Sequence, residues 1–531
     1  MQTHERQGKT ATADAGRTPQ GQGRFGRTFW TLNAIEMWER LAFYNLRVMA
    51  PIYIMQADNP GGLHLSASDK GTIYAWWAVF QSLLPMVTGG LADRFGYKRT
   101  LGFALSLMLT GYVMMAVLRD LPWISNYWAF FLSIMTLATG TAFFKPSLQG
   151  SLAHQLTKET SSVGWGIFYW VVNVGAFIGP FMPSLLQALG SVFPTILGAE
   201  PHSKEAWRHL FLASALVTCF NFPLLLTIRD SPSGASQTEP VFGVLRRTFA
   251  NFFEPRLICW ILIMSCFWLM MYQLWDLQPN FIVDWVDSGP MAQSLERLPP
   301  VLRNALVEQT DRGPMIPQQL LLNFNAFFII VGVVGVSWLT RRMRTLAAML
   351  IGMVAVTAGL LVSGWTQNAW ILVAGVLCFS IGEMMTGPKN NEYLALIAPP
   401  GKKGLYLGYA NIPMGLGVFV GSWLAGLIYG RFGEKAVLAL RYLAEHTPFG
   451  ADKNWSGDAA ALEAALGVGR TEAMRKLQEV TGLDPAAATQ LLWDTYSPHY
   501  LWIPFVLIGI AATGALWVFN QRANRWADMN A

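Results

Sequence analysis

Long apolar runs and short polar intervals alternate along almost the whole chain. Stretches long enough to cross a bilayer lie at roughly 28–55, 70–92, 99–119, 124–147, 163–190, 208–228, 255–283, 318–339, 345–364, 369–396, 404–430 and 497–519. About 20 apolar residues suffice for a helix to span the hydrocarbon core, so the pattern predicts about twelve transmembrane helices, an all-α integral membrane fold. An even number puts both termini on one side. Basic residues then choose that side. Arg24 and Arg27, Arg94, Lys98 and Arg99, Lys158, Arg229, Arg246 and Arg247, Arg341, Arg342 and Arg344, Lys402 and Lys403, and Arg522 and Arg525 fall in alternate connections. Positive residues collect in cytoplasmic loops, which predicts cytoplasmic termini.

The polar stretch 229–254 falls between the sixth and seventh runs. Read as a cytoplasmic linker, it divides the chain into six-helix halves, 28–228 and 255–531, as in a duplicated architecture. Residues 1–27 lack an apolar core and read as a disordered cytoplasmic tail. Residues 431–496, between the last two spans, form an extracytoplasmic insertion that reads as several short amphipathic helices. Asp484-Pro485 resembles a helix start, with an aspartate cap and proline in the first turn. A soluble decoration is the favoured reading of this insertion; a lid or partner-binding element is the sharper one.

Composition supports the membrane reading. Charged residues make up 13% of the chain and mean hydropathy is +0.34, against roughly a quarter charged in soluble domains. The net charge of +6 comes from basic loops and calls for no nucleic acid. Cys219, Cys259, Cys266 and Cys378 sit in apolar runs without metal-ligand spacing, so no metal is expected. No G-x-x-x-x-G-K-[ST] phosphate cradle is present, which leaves ATP-driven pumping unsupported. The reading is a transporter rather than an enzyme, without a cofactor, drawing on a gradient. Its expected surroundings are the bilayer, with no obligatory protein partner.

Charge inside the spans carries the chemistry. In the first span Glu36, Glu39, Arg40, Phe43 and Arg47 recur at intervals of three and four, so they share a helix face. An ionised side chain at mid-membrane costs about 2.5–3.5 kcal/mol on insertion scales. Such groups must therefore face each other or a wet cavity. Two carboxylates around one guanidinium give a site whose proton occupancy depends on its surroundings; a structural ion-pair knot is the alternative. Lys145, before Pro146, is a lone ammonium that either snorkels to the headgroups or faces a site. Asn173 can bond a peptide backbone or a neighbouring helix. Glu383 is a further intramembrane carboxylate, suited to a cationic amine.

Two motifs carry a resemblance. GGLADRFGYKRT, residues 89–100, resembles the loop signature of the major facilitator superfamily, with Gly90, Leu91, Asp93, Arg94, Gly96 and Arg99 matching. EMWERLAFYNLR resembles the E-x-x-E-R segment of the proton-dependent oligopeptide transporter (POT/PTR2) family, and GIFYWVVNVGAFIGP resembles its F-Y-x-x-I-N-x-G signature. The resemblance implies two six-helix bundles and a proton-coupled symporter of a bacterial inner membrane, importing di- or tripeptides by alternating access. It assigns proton coupling to Glu36, Glu39, Arg40 and Lys145. It assigns substrate binding to Arg47, Tyr44, Lys145, Tyr169, Asn173, Gln273, Asn325 and Glu383. Cations at one end and an anion at the other would match a zwitterionic peptide, and Trp423 is a further candidate for the pocket wall.

The chain also departs from that family. Phe43 replaces a tyrosine, Tyr272 stands where the family has an acid, and Lys389, Asn390, Asn391 and Glu392 replace small apolar residues. Asp276, one turn after Tyr272, is a substitute gating carboxylate, and Lys389 is a second gating candidate. These departures keep other readings open: a symporter of another small zwitterion or anion (an amino acid, nucleoside or nitrate), a drug exporter, or a non-transporting membrane sensor.

Overall fold

The computed structural model describes residues 25–157, 160–228, 255–397, 409–450 and 458–523. The tail up to residue 24, the linker 229–254, Lys158, Lys402, Lys403 and Arg525 lie outside the described residues. Among the described residues, ten helices are long and apolar enough to cross a membrane. The two other expected spans are helices of a different kind. The first, Arg27–Met55, carries the four charges noted above. The second is broken into Ala67–Ser82 and Pro85–Phe95, where Pro85 supplies no N–H to continue the ladder.

The later spans follow in order. The third is Tyr97–Val117, the fourth Asn126–Ala153, and the fifth Ser161–Ile178 continued by Met182–Val192. The sixth joins Lys204–Cys219 to Asn221–Thr227, and the seventh joins Pro255–Met271 to Gln278–Trp285. The eighth to twelfth are Gln318–Thr340, Thr345–Gly364, Ala369–Ile397, Asn411–Phe432 and Ile503–Ala523. The described connections that carry Arg94, Lys98 and Arg99, and Arg341, Arg342 and Arg344, mark what is here named the basic face. The opposite one is the insertion face.

Proline sites lie next to the functional candidates. A proline inside a helix leaves the carbonyl four residues earlier without its donor. Pro146 does this to Ala142, and Thr88 Oγ1 of the second span donates to that carbonyl at 2.6 Å. Lys145, the residue before this proline, lines the central cavity. Pro51 and Pro388 stand in the same relation to Arg47 and Met384. Glycines set the closest approaches. A Cβ at Gly175 would sit 2.6 Å from the carbonyl oxygen of Met37 and 2.8 Å from Arg40 Cβ. Only glycine lets the fifth span lie this close to the charged face of the first.

The halves meet where the second span packs along the eleventh and the fifth along the eighth. Polar side chains tie them on the insertion-face side. Gln56 Nε2 donates to Asp284 Oδ1 at 2.7 Å, Asn280 Nδ2 to the Pro51 carbonyl at 3.1 Å, and Gln318 Nε2 to the Val48 carbonyl at 3.0 Å. Between the last two spans lie helices Lys435–His446, Ala459–Leu466, Arg470–Thr481 and Pro485–Tyr496. Asp484 accepts from the Ala487 amide at 2.8 Å, which satisfies an orphan donor of that last helix. Leu443, Leu462, Leu477 and Leu492 are buried and give the four helices a small core of their own.

Candidate transport site

A central cavity with roughly 960 Å³ of empty space lies between the halves. Arg40, Tyr44 and Arg47 reach it from the first span, Lys145 from the fourth and Asn173 from the fifth; Asn325 and Glu383 reach it from the eighth and tenth. Three cations of one half and a carboxylate of the other thus share one void.

The first-span cluster is compact. Arg40 Nε lies 3.4 Å from Glu36 Oε1, one helical turn away, and the guanidinium also pairs with Glu39. All three are buried. Arg40 lines the cavity, while Glu36 and Glu39 stand behind it. One buried guanidinium is shared between two carboxylates, and among the described residues Glu39 Oε1 has no hydrogen-bond partner.

Arg47 is held differently. Its guanidinium lies 4.7 Å from the Tyr74 ring, 4.6 Å from Trp77 and 5.8 Å from Tyr272. Ring faces attract a desolvated cation by roughly 2 kcal/mol in favourable cases. They orient Arg47 without neutralising it, and its Nη2 is buried with no hydrogen-bond partner. Lys145 likewise lines the cavity. Across from them, Asn325 Nδ2 donates to Glu383 Oε2 at 2.9 Å and to Ser380 Oγ at 3.0 Å. Asn173 Nδ2 donates to the Tyr169 carbonyl at 2.9 Å, so its oxygen is the group left for a ligand.

Other candidates fall elsewhere. Tyr169 is half-buried outside the cavity wall. Gln273 is fully buried, bonds the Leu269 carbonyl at 2.8 Å and packs at Gly421, not at the cavity. Trp423, expected on the pocket wall, is 52% exposed on the outside of the bundle. The reason is helical phase: Gly421 and Ser422 take the inward positions of that turn. Lys389 pairs with Glu392 at 2.7 Å, and Glu392 accepts from Thr345 at 2.8 Å, which ties the tenth span to the ninth. The signature loop sits on the basic face. Gly96 has φ +90°, a conformation that favours glycine, and Tyr97 donates to Asp93 at 2.7 Å. Arg94 and Arg99 are exposed there, and the space beside Gly90 is open.

Asp276 pairs with Lys70, which sequence reasoning missed. Lys70 Nζ lies 2.9 Å from Asp276 Oδ1 and 2.5 Å from the Asp276 carbonyl, and both residues are fully buried. Their pair joins the second span to the seventh, just toward the insertion face from the cavity. Lys70 lies in the first turn of its helix, where a solvated lysine would be ordinary, so local sequence held no signal. Asp284 was missed too. It accepts from Gln56, from Tyr429 at 2.5 Å and from the Lys435 amide at 3.2 Å.

The sequence profile of the Major Facilitator Superfamily matches residues 39–422. An uncharacterized transporter, YclF of Bacillus subtilis (strain 168), is 31% identical over 173 residues, 31% of this chain and 33% of that protein. The di-/tripeptide transporter of Lactococcus lactis subsp. cremoris is 28% identical over 162 residues, 29% of this chain and 31% of that protein. The alignments with these relatives therefore span about a third of their length. Among solved structures, a bacterial homologue of the human drug peptide transporters PepT1 and PepT2 superposes with a TM-score of 0.60 at 15% identity, covering 93% of this chain and 98% of that one. The nucleoside transporter NupG superposes with a TM-score of 0.62 at 11% identity, covering 93% of this chain and 100% of that one. The spans and these matches together describe a multi-pass membrane protein with a transporter fold.

Proposed function

The chain belongs to the Major Facilitator Superfamily, and from that premise we propose that it is a proton-coupled symporter importing di- or tripeptides by alternating access. The observation that carries the reading is the shared void with Arg47 and Lys145 on one side and Glu383 on the other. Arg47 and Lys145 hold the peptide carboxylate, Glu383 its amino terminus, and Asn173 and Asn325 the backbone between. Glu36, Glu39 and Arg40 carry the coupling proton behind the wall. The basic face is cytoplasmic, as are both termini, and the membrane is a bacterial inner membrane. Ligand binding at the junction of two bundles suits a rocking cycle, and the described ties on the insertion face suit a state closed toward the outside.

A second reading has its own support. Tyr272 leaves Arg47 among aromatic rings and, among the described residues, without a paired carboxylate, which favours a small zwitterion or anion other than a peptide as its partner. Proteoliposome uptake of a labelled dipeptide, with and without an imposed proton gradient, separates the two, with competition by amino acids, nucleosides and nitrate. Glu39→Gln should abolish gradient-driven accumulation while exchange persists. Unchanged accumulation in that variant removes the coupling role, and uptake competed by nitrate but not by peptides selects the second reading.

A further inference from the structure

The helices inserted before the last span touch both halves. Arg470 begins helix Arg470–Thr481, and its side chain is only 15% exposed. Its guanidinium is fixed from the second half by Glu434 at 2.9 Å and Glu463 at 3.1 Å. The same fork donates to the His64 carbonyl at 2.9 Å and to the Leu65 carbonyl at 3.5 Å. Those carbonyls belong to the connection between the first and second spans. Five N–H donors in one plane allow this two-sided grip, which an ammonium cannot reproduce.

The receiving connection is built as a rigid catch. Leu63 and Leu65 amides donate to the Tyr53 and Ile54 carbonyls at 2.7 and 2.8 Å, which fastens the loop to the end of the first span. Arg119 of the first half bonds the carbonyls of Gly61 and Gly62. His64 takes a left-handed backbone with φ +53°, and its ring bonds the Asn59 carbonyl at 2.6 Å. The loop therefore moves with the first half. A second contact repeats the pattern: Lys435 Nζ lies 3.6 Å from Asp58 of the first half and 3.9 Å from Asp284 of the second. A hollow of roughly 1590 Å³ lined by Asp58 and Lys435 reaches Gln56 and Gln318.

We propose that the helices Lys435–His446, Ala459–Leu466, Arg470–Thr481 and Pro485–Tyr496 form an outer latch, in which Arg470, held by Glu434 and Glu463, grips the carbonyls of His64 and Leu65 in the first half and must release them before the cavity can open outward. A decoration of the second half would need no contact with the first. The latch adds a layer above the Lys70–Asp276 pair and slows outward opening without touching ligand.

The test is a distance between the halves on the outer face. Spin labels at Glu200 and Gln293, in full-length protein whose four native cysteines are replaced, report the separation by pulsed electron resonance. Arg470→Gln should raise the long-distance, outward-open fraction about threefold to tenfold, and Asp58→Asn should raise it less. Arg470→Gln leaves Glu434 buried without its partner. Should that variant fail to fold, Arg470→Lys keeps the charge, loses the fork and carries the same test. A distribution unchanged from the parent in the folded Arg470 variant overturns the latch. No ligand is used, so a wrong substrate in the functional reading leaves this result standing.

Discussion

The central cavity and the outer seal are made from the same kinds of side chain, and among the described residues they differ in whether each cation has a carboxylate of its own within ion-pair distance. In the seal, Lys70 has Asp276, Lys435 has Asp58 and Asp284, and Arg470 has Glu434 and Glu463. In the cavity, among the described residues, Arg47 has only rings, Glu383 only the amide of Asn325, and Arg40 divides itself between two acids. Burying an ion costs several kcal/mol unless a well-placed partner offsets it. The seal supplies such partners within the fold. On the proposed reading the cavity takes them from water, protons or ligand, and this difference separates a site from a clasp.

The comparison can be broken first at the seal. Asp276→Ala leaves the Lys70 ammonium buried without a counter-ion, and the expected cost is about 3–5 kcal/mol of apparent stability. Replacing both, Lys70→Met with Asp276→Leu, should restore most of it, because the desolvated charge is gone. Thermal unfolding in detergent reads both; a single variant no worse than the double would show that the pair is not truly buried.

The cavity should respond more modestly and through ligand. Lys145→Ala is expected to weaken peptides with a free carboxylate by roughly tenfold to a hundredfold, the span of one charge-assisted contact, and amidated peptides much less. Equal losses for both classes would argue against carboxylate recognition at Lys145. Glu383→Gln should show the mirror image, with free amino termini affected more than acetylated ones in equilibrium binding.

A smaller effect is expected at the pair between His202 of the first half and Glu308 of the second. Burial pushes the His202 imidazole down, but the hydrogen bond and charge of Glu308, with Asp58 nearby, push it up, and the net direction is up from 6.5. A raised value in the folded protein means the contribution is complete below 6.5 and fades as pH rises through the folded value. The pair is partly exposed, so the change is shallow. Stability measured from pH 5 to 9 should lose this slope in His202→Gln, and an identical slope would exclude the pair as its source.

The smallest effect belongs to the insertion's own surface. Glu472 and Arg475 form an exposed pair three residues apart. Glu472→Ala should change stability by less than about 0.5 kcal/mol. A large loss there would mean that this helix face is covered by something else.

The spans were legible because partition into a bilayer and helical phase are local properties. Glu36, Glu39 and Arg40 stood out through their spacing, whereas Lys145 was a lone ammonium open to two readings until the family resemblance put it at the site. Gln273 and Trp423 show where that reasoning fails. Both are on the expected helices, yet the side each turns to the cavity depends on how the seventh and eleventh spans pack against each other.

The amino-acid order by itself therefore determined the helices, their alternation across the membrane and the charged stripe of the first span, since each depends on residues a few positions apart. Tertiary structure alone decided which charges find counter-ions. Lys70 meets Asp276 across 206 residues and Arg470 meets His64 across 406. Coulomb energy and desolvation depend on distance in space, and no local pattern encodes a partner so far along the chain.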